Sequence, residues 1–162
     1  MLIRSVKSSD LENVKILNES VLPHVNSILI NDFEAFMKIS SYFVVAEIDG
    51  NLAAFLIVLG PGQNYESENY RYFSKNYLSF DYVDRIVVAE HFRGKGIGKA
   101  LYEYLIANSF EERITCEVNL KPPNPVSILF HEKMGFKEVG QQFSENGKKW
   151  VSLMSYNKIV KL

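Results

Sequence analysis

The sequence lacks most of the features that would place it at a glance. It has one cysteine, Cys116, in 162 residues, which excludes an internal disulfide and a cysteine-built metal cluster. It has almost no net charge: 18 Lys and Arg against 19 Asp and Glu leave −1, so nothing in the total attracts nucleic acid or an anionic membrane. It has no long apolar run, since Leu52 to Leu59 falls far short of the roughly 20 residues of a spanning helix. Met1-Leu2-Ile3-Arg4 leads straight into strand-like alternation, so no signal peptide is expected. His24, His91 and His131 show no metal-ligand spacing, so no metal site is expected either. There are no internal repeats, low-complexity tracts or linkers. The expectation is one soluble, cytoplasmic domain over residues 1–162, without nucleic-acid or membrane partners.

What is present is a core and an order of elements. Hydrophobic residues make up 47%, enough for a sizeable interior. Residues 2–7 read as a strand. Ser9 with Glu12 reads as a capping box opening a helix on Leu11, Val14 and Leu17, and Asn31 with Glu34 repeats that signal before a second helix. Tyr42–Ile48 and Leu52–Leu59 are strands joined at Asp49-Gly50, a pair suited to the positive φ of a type I′ turn. Phe80–Val88 is a strand, 97–109 a helix, and Ile114–Leu120 a strand whose polar face carries Thr115, Glu117 and Asn119. Asn124 caps a helix with Pro125 at its first position and Gly135 at its end. A hairpin around Asn146-Gly147 closes the chain. This order predicts an α/β fold with a mixed sheet of about seven strands and about four helices. Gly60 to Ser79 stands apart, with Tyr65, Tyr70, Tyr72, Phe73 and Tyr77 among polar residues. A connection of that length reads either as a short surface helix or as a lid over a substrate cleft.

Chemistry concentrates in Arg93-Gly94-Lys95-Gly96-Ile97-Gly98-Lys99, which joins a strand to a helix. Alternate glycines allow close approach of backbone N–H groups, the helix start adds partial positive charge, and three basic side chains add full charges. Together they suit a pyrophosphate or similar polyanion. The P-loop spacing fails, because the position five before Gly98 is Arg93 and Ala100 follows Lys99; the dinucleotide fingerprint fails because Lys99 stands where it needs glycine.

This loop resembles the acyl-CoA loop of the GNAT N-acetyltransferase superfamily, (R/Q)-x-x-G-x-(G/A), and matches it in full from Arg93 to Gly98. Asn124-Pro125-Val126-Ser127 followed by Phe130-His131-Glu132-Lys133-Met134-Gly135-Phe136 is similar to the family's second signature, N-x-x-(A/S)-x-x-x-Y-x-x-x-G-F. The stretches Tyr82–Val88 and Cys116–Asn124 most resemble a bacterial subgroup of predicted acetyltransferases. The resemblance implies acetyl transfer from acetyl-CoA to an amine by direct transfer, with no metal. It implies that main-chain groups at Ile86, Val87 and Val88 pair with the pantetheine arm. Arg93, Gly94, Lys95, Gly96, Ile97, Gly98 and Lys99 would hold the pyrophosphate, with Asn124 and Ser127 at the pantetheine. It places His131 where the family has a tyrosine that protonates the leaving thiolate; a histidine there, with a pKa near 6.5, either serves that role or packs beside the cofactor.

A base for the amine has two candidates. Glu117 lies on the polar strand face and aligns, allowing two extra residues before Asn124, with the glutamate proposed as base in ribosomal-protein alanine acetyltransferases. Asp84 interrupts the apolar alternation of Phe80, Tyr82, Ile86 and Val88. Each has a structural alternative: Glu117 bonding to neighbouring backbone, Asp84 pairing with Arg85. Cys116 falls on the apolar face and reads as core. The acceptor is expected to be a small-molecule or peptide amine, and the chain a monomer or homodimer. A non-catalytic acyl-CoA-binding module, and transfer to oxygen or of a longer acyl chain, are the competing readings.

Overall fold

The computed structural model describes residues 1–158. In chain order the elements are β1 (Leu2–Ser5), α1 (Leu11–Glu19), α2 (Ile30–Ile39), β2 (Tyr42–Ile48), β3 (Asn51–Leu59), α3 (Glu68–Asn76), β4 (Asp81–Val88), α4 (Ile97–Asn108), β5 (Arg113–Lys121), α5 (Pro125–Met134), β6 (Lys137–Ser144) and β7 (Lys149–Asn157). Short 3₁₀ turns precede α1 and follow β4. The seven strands run in the order β1-β2-β3-β4-β5-β7-β6. β1, β2 and β3 pair antiparallel, β4 and β5 parallel, and β5, β7 and β6 antiparallel, so the sheet is mixed. The helices among the described residues are five rather than about four, because the 60–79 connection folds α3.

The chain divides into two compact units. The first comprises Met1–Leu59 with Val83–Ser109. Its core is the apolar run of β3, where Ala53 to Leu59 are all fully buried, and the rings of Phe33, Phe43 and Phe55. Phe33 meets Phe55 edge-on at 6.2 Å, so truncating Phe33 would cost about 3–5 kcal/mol. Both α1 and α2 begin differently from the sequence reading. The acid that reaches back is Asp10 rather than Glu12, accepting from Lys7 N–H at 2.7 Å. For α2 it is Asp32 rather than Glu34, accepting from Leu29 N–H at 2.8 Å. In each case a shorter carboxylate lies at the third position of the turn, within reach of the preceding N–H, and the start moves with it. The β2–β3 turn is as expected, with φ of 50° at Asp49 and 76° at Gly50.

The second unit comprises Gly60–Tyr82 and the described residues from Phe110 onward. Its sheet portion is β5, β7 and β6, with β4 joining through Asp81 opposite Ile114 and Tyr82 opposite Thr115. Ser67 starts α3 by accepting from Tyr70 N–H at 3.2 Å. Tyr70, Phe73, Phe80 and Tyr82 then form one aromatic cluster with centroids 5.6–6.4 Å apart. The aromatic richness of the 60–79 connection is therefore mostly packing: Tyr70 is buried, and its hydroxyl donates to Gly60 O at 2.6 Å.

Candidate active site

In the first unit the loop after β4 takes the shape its glycines require. Gly94 and Gly96 have φ of 75° and 79°, a region that favours glycine, and a Cβ at either would meet nothing within 4 Å. Gly96 is the N-cap of α4, whose first backbone bond from outside runs from Ala100 N–H to Gly96 O at 3.0 Å. The N–H groups of Ile97, Gly98 and Lys99 thus have no carbonyl one turn back inside the helix. The basic residues are largely uncommitted to acids: Arg93 Nε donates to Val88 O at 3.3 Å, and Lys95 Nζ lies 5.5 Å over the Phe92 ring. Lys99 approaches Glu103 at 3.7 Å in an exposed pair worth little. Open space, unpaired donors and local positive charge fit a pyrophosphate. The Arg93 bond also brings the loop onto the end of β4, where Ile86, Val87 and Val88 lie.

Asp84 has a cationic neighbour. Its Oδ2 lies 3.3 Å from Arg85 Nε, with side-chain exposures of 7% and 5%. That approach is an ion pair without hydrogen-bond alignment, since Arg85 Nε is buried with no hydrogen-bond partner. The other Arg85 nitrogens donate to Asn18 Oδ1 at 3.0 Å, to Asn26 O at 2.8 Å and to Asn26 Oδ1. Arg85 therefore ties β4 to the end of α1 and to the segment that follows it. The burial pattern also differs from the expected face: Val83, Arg85 and Val87 are buried, while Asp84, Ile86 and Val88 are intermediate.

In the second unit α5 starts as its sequence requires. Asn124 Oδ1 accepts from Ser127 N–H at 3.3 Å, Pro125 occupies the first turn, and Gly135 ends the helix at φ 103°. His131, one turn beyond Ser127, is 4% exposed. Its Nδ1 lies 2.7 Å from Ser127 O and 3.3 Å from Ser127 Oγ. A carbonyl only accepts, so Nδ1 carries the proton and the lone pair of the neutral ring is on Nε2. Burial holds the His131 pKa below the ordinary histidine value, partly offset by the bond to Ser127. Phe130 and Phe136 hold the ring edge-on at 5.2 and 5.3 Å.

Glu117 is half-buried on β5, and its Oε2 accepts from Tyr82 Oη at 2.7 Å. Tyr82 is itself 1% exposed and fixed by Tyr70 and Phe73. The Tyr82 hydroxyl is the partner that the linear reading missed. Tyr82 reads there as one more apolar-face residue, and only the parallel register of Tyr82 against Thr115 brings its hydroxyl to Glu117. Cys116 is buried, as the alternation implies.

The family model described as the acetyltransferase (GNAT) family matches residues 14–136. The chain belongs to that family. The match takes in both segments, Arg93–Gly98 and Asn124–Phe136. No curated protein matches the chain. Among solved structures, the GNAT chain is similar to the ribosomal-protein-S18-alanine N-acetyltransferase from Escherichia coli, at 18% identity and a TM-score of 0.75 over 99% of this chain and 95% of that one. It is similar to smu.2055 from Streptococcus mutans UA159 at 22% identity and a TM-score of 0.78, covering 98% and 100%. A third likeness is yncA from Salmonella typhimurium, solved with its cofactor acetyl-CoA, at 17% identity and a TM-score of 0.72 over 100% and 96%. At these identities the likenesses establish the GNAT fold. Within it, Arg93–Lys99, Ile86–Val88 and Asp84 stand in one unit, and Glu117, Asn124, Ser127 and His131 in the other.

Proposed function

We propose that this protein is an acetyl-CoA-dependent N-acetyltransferase that moves an acetyl group to a primary amine by direct transfer. The observation that carries this reading is the Arg93–Lys99 loop: two left-handed glycines, a helix start with unfilled N–H groups, and basic side chains that face no buried acid. When bound, acetyl-CoA supplies an activated acetyl group on sulfur. Arg93, Lys95 and Lys99 would neutralise the pyrophosphate, and the N–H groups of Ile97, Gly98 and Lys99 would donate to it. Main-chain groups of Ile86 to Val88 would pair with the pantetheine arm, which Asn124 and Ser127 would also contact.

On the acceptor side, Glu117 takes a proton from the substrate ammonium, directly or through one water, and the neutral amine so formed attacks the thioester carbonyl. Tyr82 holds the carboxylate that does so. Asp84 is the alternative base. Neutral His131 offers a lone pair at Nε2 rather than a proton, so it assists departure of the sulfur as a relay, taking a proton up and passing it on. Holding both reactants at near-attack distance contributes much of the acceleration.

The test is release of CoA thiol from acetyl-CoA across small amines, amino acids and peptides. Turnover with any of them supports the reading; acetyl-CoA binding with no turnover across the panel converts it to a non-catalytic binding module. Arg93→Ala should weaken acetyl-CoA binding about tenfold, the size of one charge-assisted hydrogen bond. Unchanged affinity removes the pyrophosphate assignment.

A further inference from the structure

Helix α5 turns its faces the opposite way from a helix that only packs. Its apolar Val126 and Leu129 are 79% and 51% exposed, while His131 is buried and Asn124 and Ser127 are half-buried. Seven residues make almost two turns of helix, so Asn124, Ser127 and His131 share one side. A surface helix normally turns an apolar stripe inward, and an inward polar stripe is the informative exception. The Asn124 cap accounts for the start of the helix, but not for the inward serine and histidine.

The hydrogen bonds along this stripe are few. Ser127 N–H donates to Asn124 Oδ1 at 3.3 Å. His131 Nδ1–H is committed to Ser127 O at 2.7 Å, which leaves a lone pair on Nε2. Ser127 Oγ lies 3.3 Å from the same Nδ1, but a nitrogen that carries its own proton accepts none. The Ser127 hydroxyl proton therefore has no acceptor among the described residues. It lies one turn from His131, whereas the Asn124 amide is two turns away, and the proposed function already gives that amide to the pantetheine arm.

The same reading puts this side of α5 at the sulfur end of acetyl-CoA. Direct transfer leaves the C–S electron pair on that sulfur, and the developing charge is stabilised by a hydrogen-bond donor aimed at it. Neutral His131 donates to Ser127 O and has only a lone pair besides.

We infer that Ser127 is a catalytic residue whose Oγ–H donates a hydrogen bond to the CoA sulfur as the C–S bond breaks. The inference rests on the acetyl-CoA reading of α5 above. The neutral amine forms the C–N bond, and the C–S bond breaks with its electron pair on sulfur. The proton shed by the new amide nitrogen leaves by the His131 relay or by water. A thiol, with an ordinary pKa of about 8.5, is a far stronger acid than a hydroxyl, so Ser127 keeps its proton and CoA departs as a thiolate bonded to it.

The experiment compares CoA with desulfo-CoA, which carries hydrogen in place of the thiol. Both are titrated by calorimetry at about pH 9, where an ordinary thiol is mostly ionised. CoA should bind the wild type about tenfold tighter than desulfo-CoA, the size of one hydrogen bond to a charged group. In Ser127→Ala that ratio should fall about tenfold. Alanine suits a helix and keeps the N–H that Asn124 caps, and the ratio is internal to each protein, so partial unfolding does not imitate the result. A ratio that Ser127→Ala leaves unchanged overturns the inference, even where both ligands weaken together. The single-turnover rate of acetyl transfer should also fall about tenfold in Ser127→Ala, and an equal rate again overturns the inference. A thiolate preference that depends on Ser127, without turnover of any amine, would sink the acetyltransferase reading and leave the sulfur contact standing. Failure of both ligands to bind the wild type would remove the acetyl-CoA reading and this inference with it, whereas binding of both with an unchanged ratio removes this inference alone.

Discussion

Asp84 and Glu117 are both carboxylates on sheet strands, each near buried aromatic or aliphatic packing, yet their neighbours differ in kind. Asp84 lies beside the guanidinium of Arg85, which is itself anchored on Asn18 and Asn26. Glu117 accepts from the neutral hydroxyl of Tyr82. A carboxylate beside a buried cation must break an ion pair to take a proton, and its departure leaves that cation unpaired. A carboxylate that accepts from a phenol keeps a neutral group at that bond when it takes a proton. The comparison teaches that partner chemistry, more than burial, separates a stabilising acid from an acid available for proton transfer. This is the ground for placing Glu117 ahead of Asp84 in the proposed mechanism.

The largest effect expected is that of Glu117→Gln, which keeps the Tyr82 contact and removes the basicity. kcat should fall about 10³-fold with acetyl-CoA affinity unchanged, within the range for loss of a general base. Pre-steady-state kinetics and acetyl-CoA titration check the two halves. A loss below tenfold would remove Glu117 from the mechanism. Next is Asp84→Ala, which should destabilise the fold by about 3 kcal/mol in denaturant unfolding, because Arg85 stays buried without its counter-ion. If instead Asp84→Asn leaves stability intact and abolishes turnover, the two acids exchange roles.

Tyr82→Phe sharpens the comparison from the other side. The ring stays within its cluster with Tyr70 and Phe73, and only the hydroxyl is lost. The Glu117 carboxylate then loses the bond that orients it, so kcat should fall about tenfold, the size of one hydrogen bond to a charged group, with acetyl-CoA affinity unchanged. A kcat equal to that of the wild type would make Tyr82 a packing residue.

How far this was legible in the sequence differs between the two regions. The Arg93–Lys99 loop and the start of α5 are local devices: glycine at positive φ, a side chain capping its own turn, proline in the first turn. Such devices depend on neighbours within a few residues, so spacing alone reveals them. The Tyr82–Glu117, Arg85–Asn26 and Asn69–Gln142 contacts join residues far apart in the chain. They depend on strand register and on where α3 docks, which no local pattern encodes. The capping boxes, each displaced by two residues from the sequence reading, show the same limit at short range. Asp10 and Glu12 are both acids near the start of α1, and only the exact start of the turn selects Asp10.

The smallest effect concerns His131. Burial lowers its pKa in the folded protein, so between that lowered value and the ordinary value near 6.5 the unfolded chain binds a proton that the folded chain does not. In that window stability rises with pH, and it falls as pH drops through the window. The wild type should therefore lose stability on acidification below about pH 6.5, with the loss levelling off once the folded histidine is protonated. His131→Phe removes the titrating group but keeps a ring for Phe130 and Phe136 to pack against. Its unfolding free energy should be flatter across the same window, measured by urea titration at several pH values. Equal slopes in the two proteins would mean that His131 reaches solvent and protonates in the folded state. The neutral Nε2 acceptor on which its relay role depends would then be absent at that pH.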